Sequence, residues 1–391
     1  MTIKYPLATS SWGEEELTAM QEVIQSGNFS MGKHVSSFEN EFAAHFGSKY
    51  AVMSNSGSSA NLLMIAALFF RKENPLKAGD EVIVPAVSWS TTYMPLQQYG
   101  LKVKFVDINI ETLNYNLSEL QQAVSDRTKV ILAVNLLGNP NDFTEINRII
   151  NQRKIILLED NCESLGAEYN DQKAGSIGLM GTFSSFFSHH ISTMEGGLTI
   201  TNDEELYHIM LSIRSHGWTR HLPKENKVTG RKSDNNFNES FSFILPGYNV
   251  RPLELSGAIG LEQLKKVDGF VNQRRKNAEF FQKLFSSDSR FIIQKEIGKS
   301  SWFGFSFIIQ QGSNLSRESI IKLLEKNQID VRPIVGGNFA KNEVIKYFDY
   351  EIHNNLKNSN VIDKNGFFVG NHHYNLTSEI KYLHKTLLKV K

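Results

Sequence analysis

Two adjacent histidines stand in the run Ser184-Ser185-Phe186-Phe187-Ser188-His189-His190-Ile191-Ser192-Thr193-Met194-Glu195-Gly196-Gly197. An imidazole can take up and return a proton near neutral pH. Neighbouring histidines do not readily face one metal ion, and no HExxH spacing accompanies them, so a metal site gains no support. Alone, either residue reads as a structural or capping histidine. A second run, Leu157-Leu158-Glu159-Asp160-Asn161-Cys162-Glu163, closes an apolar stretch with carboxylates. Asp160 and Glu163 there fall at the C-terminal edge of a buried strand, where open α/β sheets collect their ligands. A carboxylate at that edge suits a protonated pyridine nitrogen, and a helix-capping aspartate is an equal alternative. A third run is Ser54-Asn55-Ser56-Gly57-Ser58-Ser59-Ala60-Asn61. Gly57 permits a tight turn, and the amides and hydroxyls that follow suit a phosphate at a helix N-terminus. Taken alone, Ser58 is better read as the helix cap. Neither GxGxxG nor GxxxxGK(S/T) occurs, which removes support for a dinucleotide or P-loop site.

These runs need strands to end beside them and helices to start after them. The pattern predicts strands over 50–54, 81–85, 103–108, 130–136, 155–160, 181–187 and 198–201. Between them lie helical patterns over 38–46, 59–70, 117–125 and 144–151. This alternation argues for a large, mostly parallel sheet covered on both faces, an α/β fold. After a turn near Leu245–Pro252, a long helix is expected over 253–282, then a strand over 302–309 and a helix over 316–327. We therefore expect a large α/β domain over 1–250 and a smaller α+β domain over 251–391.

Composition narrows the function classes. The 391 residues carry 42 Lys+Arg against 41 Asp+Glu, so no basic surface argues for nucleic acid or an anionic membrane. The longest apolar stretch, Leu62–Phe70, is far short of a membrane span. The first residues lack the basic and apolar regions of a signal peptide, and a cytoplasmic location is expected. One cysteine cannot hold an iron–sulfur cluster, which usually takes about four thiolates.

In order and spacing, the three runs resemble the DegT-type nucleotide-sugar aminotransferase family of fold-type I pyridoxal-phosphate enzymes. Gly57-Ser58-Ser59 matches its phosphate turn, Trp89 its aromatic loop and Glu159-Asp160 its strand end. The stretch Ser184 to Gly197 and the segment Gly247-Tyr248-Asn249-Val250-Arg251 complete the set. The resemblance implies that Gly57, Ser58 and Ser184 hold the cofactor phosphate, with Asn249 reaching it from a second subunit of a homodimer. It implies that Trp89 covers the pyridine ring, Asp160 pairs with the ring nitrogen and Glu163 meets a ring substituent. His216 and Arg220 are its candidates for substrate contacts.

One position departs from the family. The lysine that would bind the cofactor covalently falls at His189, and no lysine occurs between Lys173 and Lys224. Imidazole moves protons but forms no Schiff base, so the cofactor is expected to be held non-covalently, favouring pyridoxamine phosphate. This segment resembles the subset of the family that are 3-dehydratases. That resemblance implies loss of the C3 hydroxyl from GDP-4-keto-6-deoxymannose, with L-glutamate restoring pyridoxamine phosphate and 2-oxoglutarate and ammonia released, in the biosynthesis of the dideoxysugar colitose. Rival readings are an ordinary sugar aminotransferase and a non-catalytic binding protein on the same fold. A related CDP-hexose dehydratase shares the histidine but uses an iron–sulfur cluster and a partner reductase, and the single cysteine argues against that route.

Overall fold

The computed structural model describes residues 3–151 and 153–390. Its strands are β1 (Tyr50–Ser54), β2 (Glu81–Pro85), β3 (Lys102–Val106), β4 (Thr128–Val134), β5 (Ile156–Asp160), β6 (Met180–Ser184) and β7 (Gly197–Thr201). Later come β8 (Phe291–Ile293), β9 (Gly304–Ile309), β10 (Tyr350–Ile352) and β11 (Gly366–Gly370). Two-residue hairpin strands are left unnumbered.

Eight strands form one sheet in the order β1-β7-β6-β5-β4-β2-β3-β10. Only β7 runs antiparallel to its neighbours; every other pairing in the sheet is parallel. Parallel strands need long crossovers, and the helices Gly57–Phe70, Ser90–Gln98, Leu117–Ala123 and Phe143–Ile150 supply them. Strands such as Glu81–Pro85 and Met180–Ser184 are buried at every position, as expected when both faces are covered. The expected α/β class is therefore observed.

A second sheet, β8-β9-β11, is antiparallel and carries its own apolar cluster. Phe281 stacks on Phe305 at 4.3 Å, and Phe307 stacks on Phe367 at 5.2 Å. Each such ring contributes roughly 2–3 kcal/mol by leaving water. The helix Glu254–Phe285 spans both regions, packing on the helices Glu14–Ser26 and Lys33–His45 and on the C-terminal helix Thr377–Leu387. No helix among the described residues is long and apolar enough to cross a membrane.

Three expected boundaries shift for physical reasons. Strand β4 stops at Val134 rather than Leu136, because Asn135–Gly138 turns sharply with Leu137 at φ 52°. Strand β6 stops at Ser184 rather than Phe187. The backbone N–H of Ser185 donates to Gly196 and that of Thr193 donates to Ser185, closing a loop that leaves Phe186 and Phe187 exposed. Trp302, expected in a strand, has φ 48°, so β9 begins only at Gly304.

Candidate active site

The C-terminal ends of β1, β2, β4, β5 and β6 open onto one cavity of about 820 Å³. Ligands gather at this edge in open α/β sheets because the helices that follow present free N–H groups there. The sequence runs chosen for their chemistry meet in this place: Gly57, Ser58, Trp89, Asp160, Glu163, Ser184 and His189 all line the cavity.

The phosphate turn has a different cap from the expected one. Ser56 accepts the N–H of Ser59 at 3.1 Å, which leaves Ser58 free of that task. The Ser58 hydroxyl donates instead to Thr91 Oγ1 at 2.9 Å. Gly57 is forced by space: a Cβ there would stand 2.6 Å from Ser184 Cβ and 3.1 Å from Cys162 Sγ. Its bare backbone keeps the first turn of the 14-residue helix open beside the Ser184 hydroxyl, a donor set suited to a phosphate.

Asp160 is buried, and neighbouring donors fix its carboxylate. One oxygen accepts from Asn61 Nδ2 at 2.9 Å and Thr92 Oγ1 at 2.8 Å, and the other from the N–H of Cys162 at 3.1 Å. Three donors hold it in place and aimed, as a partner for a pyridinium must be. Glu159 points the other way; its oxygens accept from the N–H groups of Gly175, Ile177 and Gly178 at 2.6–2.8 Å, a structural role. Glu163 lines the cavity and accepts the N–H of Leu137 at 3.0 Å. Burial raises its carboxyl to about 7, with the nearby Asp160 charge adding to the effect. Trp89 is 60% exposed, an unusual cost for an indole unless a flat ligand covers it.

His189 follows β6 on the closed loop. Its Nδ1 lies 2.5 Å from the carbonyl oxygen of Cys162. A carbonyl only accepts, so Nδ1 carries the proton and Nε2 keeps its lone pair. Burial lowers the imidazole to about 4, so it stands neutral at physiological pH. No lysine lines the cavity among the described residues.

Asn249, His216 and Arg220 are not among the residues lining the cavity. Asn249 is exposed, on a segment whose Val250 carbonyl accepts the N–H of Asn55 beside the phosphate turn. His216 and Arg220 gather on Trp218: the His216 ring meets it edge-on at 4.9 Å, and the Arg220 guanidinium lies 4.1 Å from its centroid. Sequence reasoning missed Phe303 and Arg332, which also line the cavity. Both come from the C-terminal region, and Arg332 is held by backbone bonds in both directions with Phe368. Arg332 is the only Lys or Arg lining the cavity among the described residues. No local spacing marked either; only the tertiary fold brings them here.

A parallel-dominated sheet with a phosphate turn, a buried aspartate and an exposed indole at its C-terminal edge defines a pyridoxal-phosphate enzyme fold. Residues 10–386 match the DegT/DnrJ/EryC1/StrS aminotransferase family, and the chain belongs to that family. It is similar to the GDP-4-keto-6-deoxy-D-mannose 3-dehydratase of Escherichia coli O55:H7, with 63% identity covering 98% of this chain and 100% of that one. The enzyme of the same name from Yersinia pseudotuberculosis is 60% identical, covering 99% of each chain. A crystal structure of GDP-4-keto-6-deoxymannose-3-dehydratase with a trapped PLP-glutamate geminal diamine superposes with a TM-score of 0.97 at 62% identity, covering 98% of this chain and 100% of that one.

Proposed function

We propose that this chain removes the C3 hydroxyl of GDP-4-keto-6-deoxy-D-mannose to give GDP-4-keto-3,6-dideoxy-D-mannose. L-Glutamate supplies the two reducing equivalents, and 2-oxoglutarate and ammonia leave. The observation that carries this reading is a family cavity with an imidazole at His189 and, among the described residues, no lining lysine. The full-length similarity to two enzymes of that activity supports it.

When bound, pyridoxamine phosphate supplies an amine that condenses with a ketone and a ring that accepts electrons. The residues present fit it. Gly57, Ser58 and Ser184 would hold the phosphate, Trp89 would cover the ring and Asp160 would pair with the ring nitrogen. Glu163, protonated below about pH 7, is able to donate to a ring oxygen. Nε2 of His189 takes up a proton and returns it to the departing C3 hydroxyl, which leaves as water. Imidazole forms no Schiff base, so the side chain at position 189 would not bond to the aldehyde form of the cofactor. Arg332 offers the positive charge that a glutamate carboxylate requires.

A second copy of the chain completes the site. Phe243 is exposed beside Trp218 and Phe241 beside Arg220, an apolar and cationic surface suited to a symmetric partner. In that dimer Asn249 reaches the phosphate, and His216 and Arg220 contact the sugar nucleotide. We assign the large domain to 1–250 and the small one to 251–391, the latter lending its strand β10 to the edge of the large sheet, with the separate apolar cluster of β8, β9 and β11 in support. The reaction belongs in the cytoplasm, in the route to colitose and the lipopolysaccharide O-antigen. A product assay tests the reading. Ammonia and a 3-deoxy-4-keto sugar are expected in equal amounts; a 4-amino sugar would make the protein an aminotransferase.

A further inference from the structure

Arg274, on the long helix Glu254–Phe285, is 4% exposed and has no carboxylate within ion-pair distance among the described residues. Its Nε is buried without a hydrogen-bond partner. An unpaired buried cation costs several kcal/mol, more than a methionine filling the same space. Burial lowers it only to about 10, so it remains charged at neutral pH. A side chain kept for shape alone has no need of that charge.

The guanidinium makes specific contacts. Its Nη1 donates to the carbonyls of Phe303 at 3.1 Å and Asn371 at 2.6 Å. Asn371 Nδ2 in turn donates to the carbonyls of Trp302 at 2.8 Å and Arg274 at 3.1 Å. The two peptides that flank Phe303 are thus each held at the carbonyl. Gly138 packs against the peptide before them: a Cβ there would lie 2.5 Å from Trp302 N. Held in this way, the Phe303 ring packs on His189 at 5.1 Å and on His190 at 5.7 Å.

We propose that Arg274 is a positioning residue for His189, fixing the Phe303 ring against the imidazole and placing an uncompensated positive charge near it. The proposal rests on the reading of His189 as the proton carrier. Other groups facing His189 are Asp160, Cys162 and Glu163 from the end of β5 and His190 from its own loop, while Glu195 and Arg332 share its cavity. Burial opposes the imidazolium most and the Cys162 carbonyl favours it; after these, Arg274 opposes it and Asp160 favours it. Burial keeps the Cys162 thiol neutral. Arg274 is therefore the cation that offsets Asp160, within a balance that burial dominates.

The test is a pH titration of ¹⁵N-histidine-labelled full-length protein without cofactor or substrate, with the His189 signal assigned by its loss in His189→Asn. Arg274→Met should raise the His189 midpoint by about half a unit or more, and Arg274→Lys should leave it in place. The acid limb of the kcat profile should move upward with the midpoint. An unmoved midpoint in folded Arg274→Met overturns the proposal. Should that variant not fold, Phe303→Leu decides: kcat should fall about tenfold with KM for the sugar nucleotide little changed. A wild-type kcat overturns the proposal. The titration requires no activity, so it fails independently of the proposed reaction.

Discussion

At the scale of single residues, the hydrogen bond from Nδ1 to the Cys162 carbonyl decides what His189 can do. It fixes the tautomer and leaves Nε2 as a base. Replacing His189 with asparagine keeps a polar group but removes the proton carrier. His189→Asn should therefore bind pyridoxal phosphate with unchanged absorbance and lose dehydration by at least about a hundredfold in kcat. Glu163 gives a second prediction. Its folded-state carboxyl near pH 7 is protonated below that value and ionised above it. Pyridoxamine phosphate affinity should weaken as pH rises from 6 to 8 in the wild type. Glu163→Gln, a permanent neutral donor, should flatten that dependence; equilibrium dialysis across the range measures both. The types and spacing of these residues were legible in the sequence, but the raised carboxyl was not, because its cause is burial by segments distant along the chain.

At the scale of elements, the site is a consequence of where parallel strands stop. Alternating strand and helix patterns were legible, so the sheet and its ligand-bearing edge were too. The ends of β4 and β6 were not. The apolar runs continue past both, and only the left-handed Leu137 and the Ser185–Thr193 closure show where the chain turns. The same limit hid Phe303, whose place depends on Trp302 adopting a positive φ against Gly138. Gly57 is the most exacting point of the phosphate turn. Gly57→Ala should cost at least about tenfold in cofactor affinity while the protein stays folded, because the added carbon meets Ser184 and not a core helix. Fluorescence titration with pyridoxal phosphate measures it. Gly138→Ala has φ 93° and backbone in its way, so it should lower the melting temperature as well.

At the scale of the whole molecule, several buried or half-buried histidines are held neutral. Burial lowers His189, His221 and His372 each to about 4, and lowers His190 as well. The unfolded chain binds these protons near pH 6.5, so it holds more of them than the folded chain between about 4 and 6.5. Stability from these groups is complete above pH 6.5 and is lost as pH falls toward 4. The melting temperature should drop by on the order of 10 °C across that window. The exposed aromatic surface around Phe241 and Phe243 is the other whole-molecule feature. Its composition was legible, but its gathering on Trp218 follows from the fold. In the proposed reaction the cofactor is never bonded to the chain. Borohydride reduction of the pyridoxal phosphate-loaded protein, followed by intact mass measurement, tests it. The account predicts a chain of unchanged mass with the reduced cofactor released on denaturation. A chain heavier by one phosphopyridoxyl group, mapped to a lysine, would contradict it.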